Sequence, residues 1–304
     1  MKLTGIDAPN FDLAKTLDSG QVFHWETHGA GYVGLIGDRA AYTEQRGDQL
    51  FVNREVAKAA PHYFALDHPL QEICAAFPRD PAMEAARDFC TGLRIIRQPL
   101  WECLASFITS SMKQVAHIRQ MSRALRQKFG TPAALYVSHV YAFPHADRIA
   151  SASELELRAC GLGYRAKNLL ATARLVASGE ADLETWRTLP DEELRERLCA
   201  LRGVGAKVAN CVMLFAYERL RAFPIDVWIE RVLREKYFPR ARKLTPARLR
   251  MFCDDYFGAH GGYAQQYLFH HARKTAVRGR RGSGRAPAFS PKSMACNNHD
   301  PVRP

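Results

Sequence analysis

Gly203 and Gly205 constrain the fold of this chain more than any other pair of residues. They lie between two helical segments, LRERLCAL and AKVANCVMLFA. Glycine adopts backbone angles that side chains forbid, so the spacing predicts a helix, a tight hairpin and a second helix. With Val204 between them, the glycines would bring helical N–H groups close to phosphate oxygens, without base preference. An ordinary glycine-closed helix turn is the alternative, and an isolated G-x-G favours that alternative.

The charge balance points to a polyanionic partner. The 304 residues include 43 Lys and Arg against 31 Asp and Glu, a formal net charge of +12 at pH 7. Cations displace the counterions condensed on phosphates, so such a surface suits a nucleic acid. The length allows about two domains with a core that needs no disulfide. The composition excludes collagen-like, wholly disordered and disulfide-built chains.

The sequence predicts no membrane span, no metal site and no cofactor. It has no run of about 18 apolar residues, and its start lacks the apolar core of a signal peptide. Its eight cysteines form neither a C-x-x-C knuckle nor a four-cysteine run for an iron–sulfur cluster. We therefore expect a monomer in the cytoplasm (nucleoid-associated) of a prokaryote or in the nucleus of a eukaryote.

The order of the segments predicts an α+β fold. Short alternating segments between about 20 and 55, separated by glycine turns, indicate a small antiparallel sheet. Helical patterns follow Pro61 and extend to about 272. We expect an amino-terminal β-rich domain with connecting helices over 1–97, packed on an all-α domain over 98–272. A disordered basic tail, rich in Gly, Arg, Pro and Ser, is expected over 273–304.

Two helix boundaries inside this region are predicted from local signals. Pro99 precedes a long amphipathic stretch that Gly130 closes, which predicts one continuous helical segment. Ser151 with Glu154 matches the capping-box pattern S-x-x-E, which predicts a helix start there.

Lys207 gives the hairpin a chemical role. It lies in the first turn of the second helix, where the helix dipole opposes a cation by roughly 0.3–1 kcal/mol. The same field favours the neutral amine, which is a nucleophile, over the ammonium, which is not. Cys211 follows one helical turn later on the same face. The alternative is that Lys207 only pairs with a phosphate.

Asp226 is the second candidate for the chemistry. It follows Pro224 and precedes VWIERVL, which places it at a helix N-cap. A carboxylate held there can stabilise a developing sugar cation or accept a proton, provided that Lys207 lies across a cleft. Capping alone is the alternative, and it accounts for most such aspartates.

Several blocks of the sequence resemble one enzyme family. The run LRGVGAKVANC followed by PIDV resembles the helix–hairpin–helix DNA glycosylases, and among them the 8-oxoguanine DNA glycosylases. Further blocks that support the resemblance are LDSGQVFHW (17–25), LWECLASFITSS (100–111), CGLGYRAKNL (160–169) and GGYAQQYLF (261–269). The resemblance covers about residues 5–272. The missing cysteine cluster argues against the iron–sulfur members, and Lys207 argues against the alkylpurine members.

The resemblance implies a bifunctional base-excision repair enzyme that acts on duplex DNA with a damaged purine. Such an enzyme flips out the oxidised guanine, because the reactive sugar carbon cannot be reached inside the stack. Lys207 would attack C1′, expel the base and form a Schiff base, and the strand would then be cut by β-elimination. Asp226 would stabilise the transition state, and Cys211 would form a pocket wall with the lysine. Two alternatives are a glycosylase for another damaged purine and a non-catalytic helix–hairpin–helix DNA-binding protein.

The resemblance also implies a base pocket. The Gly20 carbonyl would accept the N7 hydrogen that 8-oxoguanine has and guanine lacks, which is worth about 1–3 kcal/mol of discrimination. Gln265 would read the Watson–Crick edge, and Phe269 would stack on the base. Without the resemblance these residues indicate only a turn glycine and a polar side chain above a core phenylalanine.

The implied contacts to the opposite strand are incomplete. Tyr164 would wedge beside the vacated site, and Arg165 would hold the orphaned cytosine. Met112 occupies the position of the family's space-filling asparagine, where it can act as an apolar wedge. His117 occupies the position of a second arginine, and Trp228 that of a histidine. We therefore predict a looser preference for the base opposite the lesion.

Overall fold

The computed structural model describes residues 2–111, 113–135 and 138–282, and it has the α+β architecture that the sequence predicts. Five antiparallel strands form a sheet in the order β1-β5-β4-β3-β2. They are β1 (Leu3–Asp7), β2 (Glu26–His28), β3 (Gly31–Ile36), β4 (Arg39–Arg46) and β5 (Gln49–Asn53). The register pairs Tyr32 with Thr43 and Thr43 with Val52, so the three central strands stay aligned.

Helices make up most of the remaining chain. The α-helices are α1 (Leu13–Asp18), α2 (Ala60–Tyr63), α3 (Leu70–Ala75), α4 (Pro81–Phe89), α5 (Leu100–Ser110), α6 (Val115–Phe129), α7 (Ala146–Ala150), α8 (Glu154–Leu157), α9 (Arg165–Ala177), α10 (Asp191–Ala200), α11 (Ala206–Phe215), α12 (Val227–Val232), α13 (Pro246–Tyr256) and α14 (Gly261–Gly282). Short 3-10 turns occupy Arg54–Val56, Thr185–Thr188 and Gly258–His260, and π-helical turns occupy Arg158–Leu162 and Leu233–Tyr237. Among the helices of the described ranges, none is long and apolar enough to cross a membrane.

The sheet and the helices each have a hydrophobic core. Trp25 anchors the sheet core, because its ring covers Gly34, where an added Cβ would lie 2.5 Å from the ring, and its Nε1–H donates to Tyr63. The helical core is larger and includes Ile73 and Met83 from α3 and α4. These connecting helices precede the predicted boundary at 97, yet they bury their apolar faces against the helical body.

A polar cluster joins the two parts. Arg97 pairs with Asp67 at 2.6 Å and donates to Glu218 at 2.7 Å. His68 lies 2.6 Å from Glu218 and 2.7 Å from the hydroxyl of Tyr263 on α14. Burial lowers the pKa of His68, so it is a neutral ring that donates to the carboxylate and accepts from the tyrosine. Both connections are therefore satisfied without a buried imidazolium.

The long helical stretch predicted between Pro99 and Gly130 is two helices, α5 and α6. The chain turns at Ser111, whose ψ of 127° ends α5. The carbonyl of Ser111 accepts a hydrogen bond from Arg165 Nε at 2.8 Å. The break is thus fixed by a residue far along the chain, which the local amphipathic pattern cannot reveal.

A two-stranded hairpin interrupts the region predicted to be wholly helical. Strands β6 (Pro132–Leu135) and β7 (Ser138–Tyr141) follow Gly130 and pair in antiparallel register. Proline disfavours the helical conformation at the residue before it, so Pro132 prevents α6 from continuing. The hairpin lies beside β3 and β4, where it extends the contact between the two parts of the molecule.

The capping box lies two residues later than predicted. Ser153 accepts from the N–H of Glu156, and the Glu156 carboxylate accepts from the N–H of Ser153. Ser151 instead ends α7, where its N–H donates to Asp147 at 3.0 Å. The sequence matches S-x-x-E at both serines, and the end of the preceding helix decides between them.

The last helix corrects the predicted start of the tail. We expected disorder from 273, but α14 continues to Gly282. Its first half is fixed in the core by Tyr263 and Tyr267, which are fully buried. Extending an existing helix adds one hydrogen bond per residue without a new nucleus, and Ala, Arg and Lys are good helix formers. The rest of the predicted tail, 283–304, lies outside the described residues.

Candidate active site

The hairpin between α10 and α11 has the form that its glycines predict. Gly203 has φ of +87°, and a Cβ added there would lie 2.8 Å from the Cβ of Asn168. Both observations exclude a side chain at this position. The Thr172 hydroxyl donates to the carbonyl of Arg202 at 2.9 Å, which ties the hairpin to α9.

Within the hairpin, the three predicted phosphate-binding residues differ in exposure. Gly205 and the following Ala206 are exposed at the start of α11. Val204 is buried, and its N–H donates to the carbonyl of Leu201 at 3.1 Å. Val204 therefore stabilises the turn, whereas the exposed start of α11 is the surface that can receive a phosphate.

Lys207 lies in the first turn of α11 above an aromatic stack. Its Nζ is 5.0 Å from the ring centroid of Phe107 on α5. Phe107 in turn stacks on Phe215, with centroids 5.5 Å apart and planes 8° apart. Phe23, three residues after Gly20, contacts the same ring edge-on at 6.0 Å. The lysine is half-buried and rests on a rigid apolar floor.

Asp226 lies within electrostatic reach of this lysine. It caps α12, because its Oδ1 accepts from the N–H groups of Trp228 at 3.1 Å and Ile229 at 2.9 Å. Burial raises the pKa of Asp226, while these two donors and the charge of Lys207 oppose the rise. The hairpin helix and the next helix thus bring an amine and an oriented carboxylate within electrostatic reach of each other, an arrangement that the sequence spacing allows.

Cys211 lies one helical turn after Lys207, within electrostatic reach of its amine. Burial raises the pKa of Cys211 to about 11, and the charge of Lys207 opposes this only in part. Cys103, on α5, is buried beside it, and burial raises its pKa well above the usual value. Both side chains are therefore neutral thiols that form an apolar wall next to the amine.

The Gly20 turn is fixed in place by a neighbour that sequence reasoning missed. Gly20 has φ of +85°, and an added Cβ would lie 3.2 Å from Cε1 of Phe269. Gln21 is fully buried; its Nε2 donates to the carbonyl of Arg94 at 2.8 Å, and its Oε1 accepts from Ile96 at 2.7 Å. The sequence feature that could have identified Gln21 as a structural residue is its position as a polar residue between a turn glycine and an apolar run.

Gln265 presents an unused acceptor. It is buried, and its Oε1 has no hydrogen-bond partner in the described part of the chain. It lies one helical turn before Phe269 on α14, so both side chains share a face. A buried acceptor without a donor costs about 1–3 kcal/mol, and a bound base with an N–H group would remove that cost.

The residues predicted to contact the opposite strand are not all placed to do so. Tyr164 is 51% exposed at the start of α9, and His117 is exposed on α6. Arg165 is only 4% exposed and donates to the carbonyl of Ser111. Its guanidinium also lies 4.3 Å from the ring centroid of Tyr164. Arg165 therefore fixes the turn after α5, while Met112 lies outside the described residues.

Trp228 follows the catalytic candidate Asp226 by two residues and is half-buried. Its ring lies 5.6 Å from the guanidinium of Arg231. Val227, between them, is 70% exposed. An apolar surface thus borders the carboxylate where the family pattern has a histidine.

A separate cleft of about 1090 Å³ lies between the amino-terminal sheet, α6 and α14. Asp18, Phe23 and Lys274 are in its lining, but Lys207 and Asp226 are not. The cleft is therefore distinct from the site of the proposed chemistry. In the described ranges, no cluster of three or more His, Cys, Asp or Glu side chains could hold a metal ion.

Two family models match consecutive parts of the chain. Residues 4–104 match the amino-terminal domain of 8-oxoguanine DNA glycosylase. Residues 105–253 match the HhH-GPD superfamily of base excision DNA repair proteins. The matches meet inside α5, shortly after the boundary predicted between 97 and 98.

Known proteins resemble the chain over most of its length. N-glycosylase/DNA lyase OGG1 of Arabidopsis thaliana is 30% identical over an alignment of 282 positions, which covers 84% of this chain and 76% of the relative. A structure of MBOgg1 in complex with a low-affinity DNA ligand is 32% identical, with a TM-score of 0.86 and coverage of 91% and 97%. The Clostridium acetobutylicum 8-oxoguanine glycosylase/lyase, solved with dsDNA that has cytosine opposite 8-oxoG, is 30% identical; its TM-score is 0.83, with coverage of 90% and 98%. The chain belongs to the 8-oxoguanine DNA glycosylase family of helix–hairpin–helix base excision repair proteins.

Proposed function

We propose that this protein removes 8-oxoguanine from duplex DNA and then cuts the strand at the resulting abasic site. The observation that carries the proposal is that Lys207, at the start of α11, lies within electrostatic reach of the Asp226 carboxylate, which caps α12. Relatives named N-glycosylase/DNA lyase and 8-oxoguanine glycosylase/lyase support the reaction class. Its partner is double-stranded DNA with a damaged purine, bound through the glycine hairpin at Gly203 and Gly205, where Gly205 and Ala206 are exposed.

Lys207 acts as the nucleophile. Its amine, after giving up a proton, attacks C1′ of the flipped nucleotide, and the C1′–N9 bond breaks with its electron pair leaving on the base. Positive charge builds on the sugar in this step, and the Asp226 carboxylate stabilises it. The nitrogen then passes a proton to O4′ as the C1′–O4′ bond breaks, so the sugar ring opens and a Schiff base forms. Loss of a C2′ proton expels the 3′ phosphate by β-elimination, and water releases Lys207.

The fixed carboxylate suits this role because its geometry is set in advance. Two backbone N–H groups bind Oδ1 of Asp226, so the side chain does not reorganise when charge develops. The aromatic floor of Phe107 limits the hydration of the lysine. Cys211, a neutral thiol, adds bulk to the wall without adding charge.

The base pocket uses the Gly20 carbonyl, Gln265 and Phe269. The carbonyl accepts the N7–H of 8-oxoguanine, and guanine would leave this acceptor unpaired. The free Oε1 of Gln265 accepts from the N1–H and N2–H groups of the Watson–Crick edge. The Phe269 ring, in contact with the Gly20 turn, stacks on the base.

Borohydride trapping on duplex DNA that contains 8-oxoguanine tests the proposal. The wild-type protein should form a covalent adduct, because borohydride reduces the Schiff base to a stable amine. Lys207→Gln should form none, whereas Lys58→Gln, a change at an exposed lysine, should behave as wild type. An adduct that persists in Lys207→Gln would contradict the assignment of the nucleophile.

The same assay separates the remaining alternatives. A panel with 8-oxoguanine, a ring-opened purine and undamaged guanine would show which base is removed. Faster release of the ring-opened purine would favour a glycosylase for another lesion. Binding without release or adduct on every substrate would favour a non-catalytic DNA-binding protein. We further propose that the protein acts as a monomer, in the nucleus or at the nucleoid.

A further inference from the structure

Arg273 lies in the part of α14 that the sequence assigned to the tail, one helical turn after Phe269. Its guanidinium carbon is 5.6 Å from the centroid of the Phe269 ring. Its Nη2 donates to the main-chain carbonyl of Asp18, at the end of α1. One side chain therefore contacts both the proposed stacking ring and the segment that leads into Gly20.

The contact with Gly20 is close. A Cβ added at Gly20 would lie 3.2 Å from Phe269 and 3.4 Å from Nη1 of Arg273. The ring and the guanidinium thus lie so close to the turn that a side chain at Gly20 would be crowded by both. The side chain of Arg273 is 14% exposed, and its Nε is buried without a hydrogen-bond partner in the described chain. Such a placement costs stability, so the contact calls for a functional reason.

Asp18 supports the same arrangement. It is the last residue of α1, where the helix dipole disfavours an acid. Its carboxylate lies 3.9 Å from Arg273 and 3.7 Å from Arg119, and it also pairs with Lys274. The unfavourable position is therefore offset by cations from α6 and α14, which gather at the Gly20 turn.

We infer that Arg273 is a positioning residue for the damaged base: it ties the Asp18–Gly20 turn to the Phe269 ring. The inference rests on the proposed function of Gly20 and Phe269. The planar guanidinium of Arg273 reaches the Asp18 carbonyl while its face packs beside the Phe269 ring, an arrangement that lysine cannot reproduce in full. The spacing between the carbonyl that reads N7–H and the ring that stacks is then fixed before DNA binds.

This role separates two reactions of the same enzyme. Release of the base depends on the spacing of the pocket, because a misplaced base loses its alignment with the amine. Cleavage at a pre-formed abasic site involves no base and needs only the lysine and its surroundings. Arg273 should therefore affect the first reaction and spare the second.

The experiment compares single-turnover base release from 8-oxoguanine DNA with borohydride trapping on abasic-site DNA. Arg273→Met should slow base release about tenfold or more, since small misplacements near a reacting centre have effects of that order. Trapping on abasic DNA should stay within about twofold of wild type. Arg273→Lys should restore part of the lost rate, and it serves as the test if Arg273→Met does not fold. Lys58→Met, a change at an exposed lysine between β5 and α2, is the control and should leave both reactions unchanged.

The outcomes are distinct. Base release at the wild-type rate in both Arg273 variants would overturn the inference alone. Equal loss of base release and abasic-site trapping would also overturn it, because it would indicate general structural damage. A wild-type protein that neither releases the base nor forms an adduct would overturn the proposed function and this inference with it. Selective loss of base release, partly restored by lysine, would support it.

Discussion

The proposed function gives Asp226 a second task besides capping α12, and the two tasks impose different chemical demands. As a helix cap it needs only an oxygen that accepts from Trp228 and Ile229, and asparagine caps as well as aspartate. As a stabiliser of a sugar cation it needs a negative charge in a buried place. Burial raises its pKa, so the folded protein holds the ionised form at a cost.

Asp226→Asn should separate these tasks. We expect base release to fall by about 100-fold or more, because a neutral amide cannot match a carboxylate at a developing positive charge. The midpoint of thermal unfolding at pH 7 should be unchanged or higher, since the cap remains and the buried charge is removed. Single-turnover kinetics and calorimetry measure the two effects. A large loss of both stability and DNA binding would instead indicate a purely structural cap.

The raised pKa of Asp226 also predicts a pH dependence. Base release needs the ionised carboxylate, so the rate should fall on the acid side at a higher pH than an exposed aspartate would give. Because the folded pKa lies above the unfolded one, this group favours folding at low pH. That contribution is lost as pH rises through the folded pKa. A rate profile from pH 4 to 8 would check this, and Asp226→Asn should lack that acid-side step.

The preference for the opposite base should be loose. Arg165 is committed to the Ser111 carbonyl, and the second position is filled by His117, so neither provides a free arginine for cytosine. We expect 8-oxoguanine opposite each of the four bases to be released at rates within about tenfold, because no bidentate contact reads the orphaned base. Release measured with the four duplexes would check this. Strict dependence on cytosine would mean that Arg165 leaves Ser111 when DNA binds.

Elements defined by local signals were predictable, and those defined by distant contacts were not. The hairpin at Gly203 and the N-cap at Asp226 depend on neighbouring residues, so the sequence predicts both. The break between α5 and α6 depends on Arg165, which lies 54 residues beyond Ser111. The start of the tail was placed too early, because α14 is anchored by the buried Tyr263 and Tyr267, which lie upstream of its polar last part.

The two serines that match the capping pattern allow a direct comparison. Ser153→Ala should destabilise the protein by about 1 kcal/mol, because it leaves the N–H of Glu156 without its side-chain acceptor. Ser151→Ala is the matched control and should cost much less, since that hydroxyl only donates to Arg148 at 3.2 Å. Urea unfolding of both variants would check the difference. Equal effects would mean that the box at Ser153 is not important for stability.

At the scale of the whole molecule, the sequence predicted the proposed catalytic residues better than the side chains that hold the base pocket in place. Lys207 and Asp226 lie 19 positions apart, and a local motif with its resemblance identifies both. Gln21 and Arg273 act through chain segments more than 70 residues away, with carbonyls or amides at Arg94, Ile96 and Asp18. No periodicity encodes such pairs, because they form only when the amino-terminal segment docks on the helical body.

The basic charge of the molecule should be visible in the salt dependence of DNA binding. Residues 283–304 contain Arg285, Lys292 and Arg303 against Asp300. Removing them while keeping α14 intact should reduce the slope of log K against log salt by at most about 2–3, because each phosphate contact contributes about 0.9. Binding titrations between low and moderate salt would measure it. An unchanged slope would mean that this segment does not contact DNA, and a larger loss would mean that it organises other contacts.

The contact between the amino-terminal part and the helical body has a consequence for lesion selectivity. By our proposals, strand cleavage depends on residues of the helical body, whereas recognition of the damaged base depends on the place where α1 meets α14, around Arg273. A variant with weaker packing only at that interface would still cleave DNA at abasic sites, but it would discriminate less between damaged and undamaged bases. Lesion selectivity would thus depend on the packing of the amino-terminal part against the helical body. Substitutions at that interface could alter it without a change at Lys207 or Asp226.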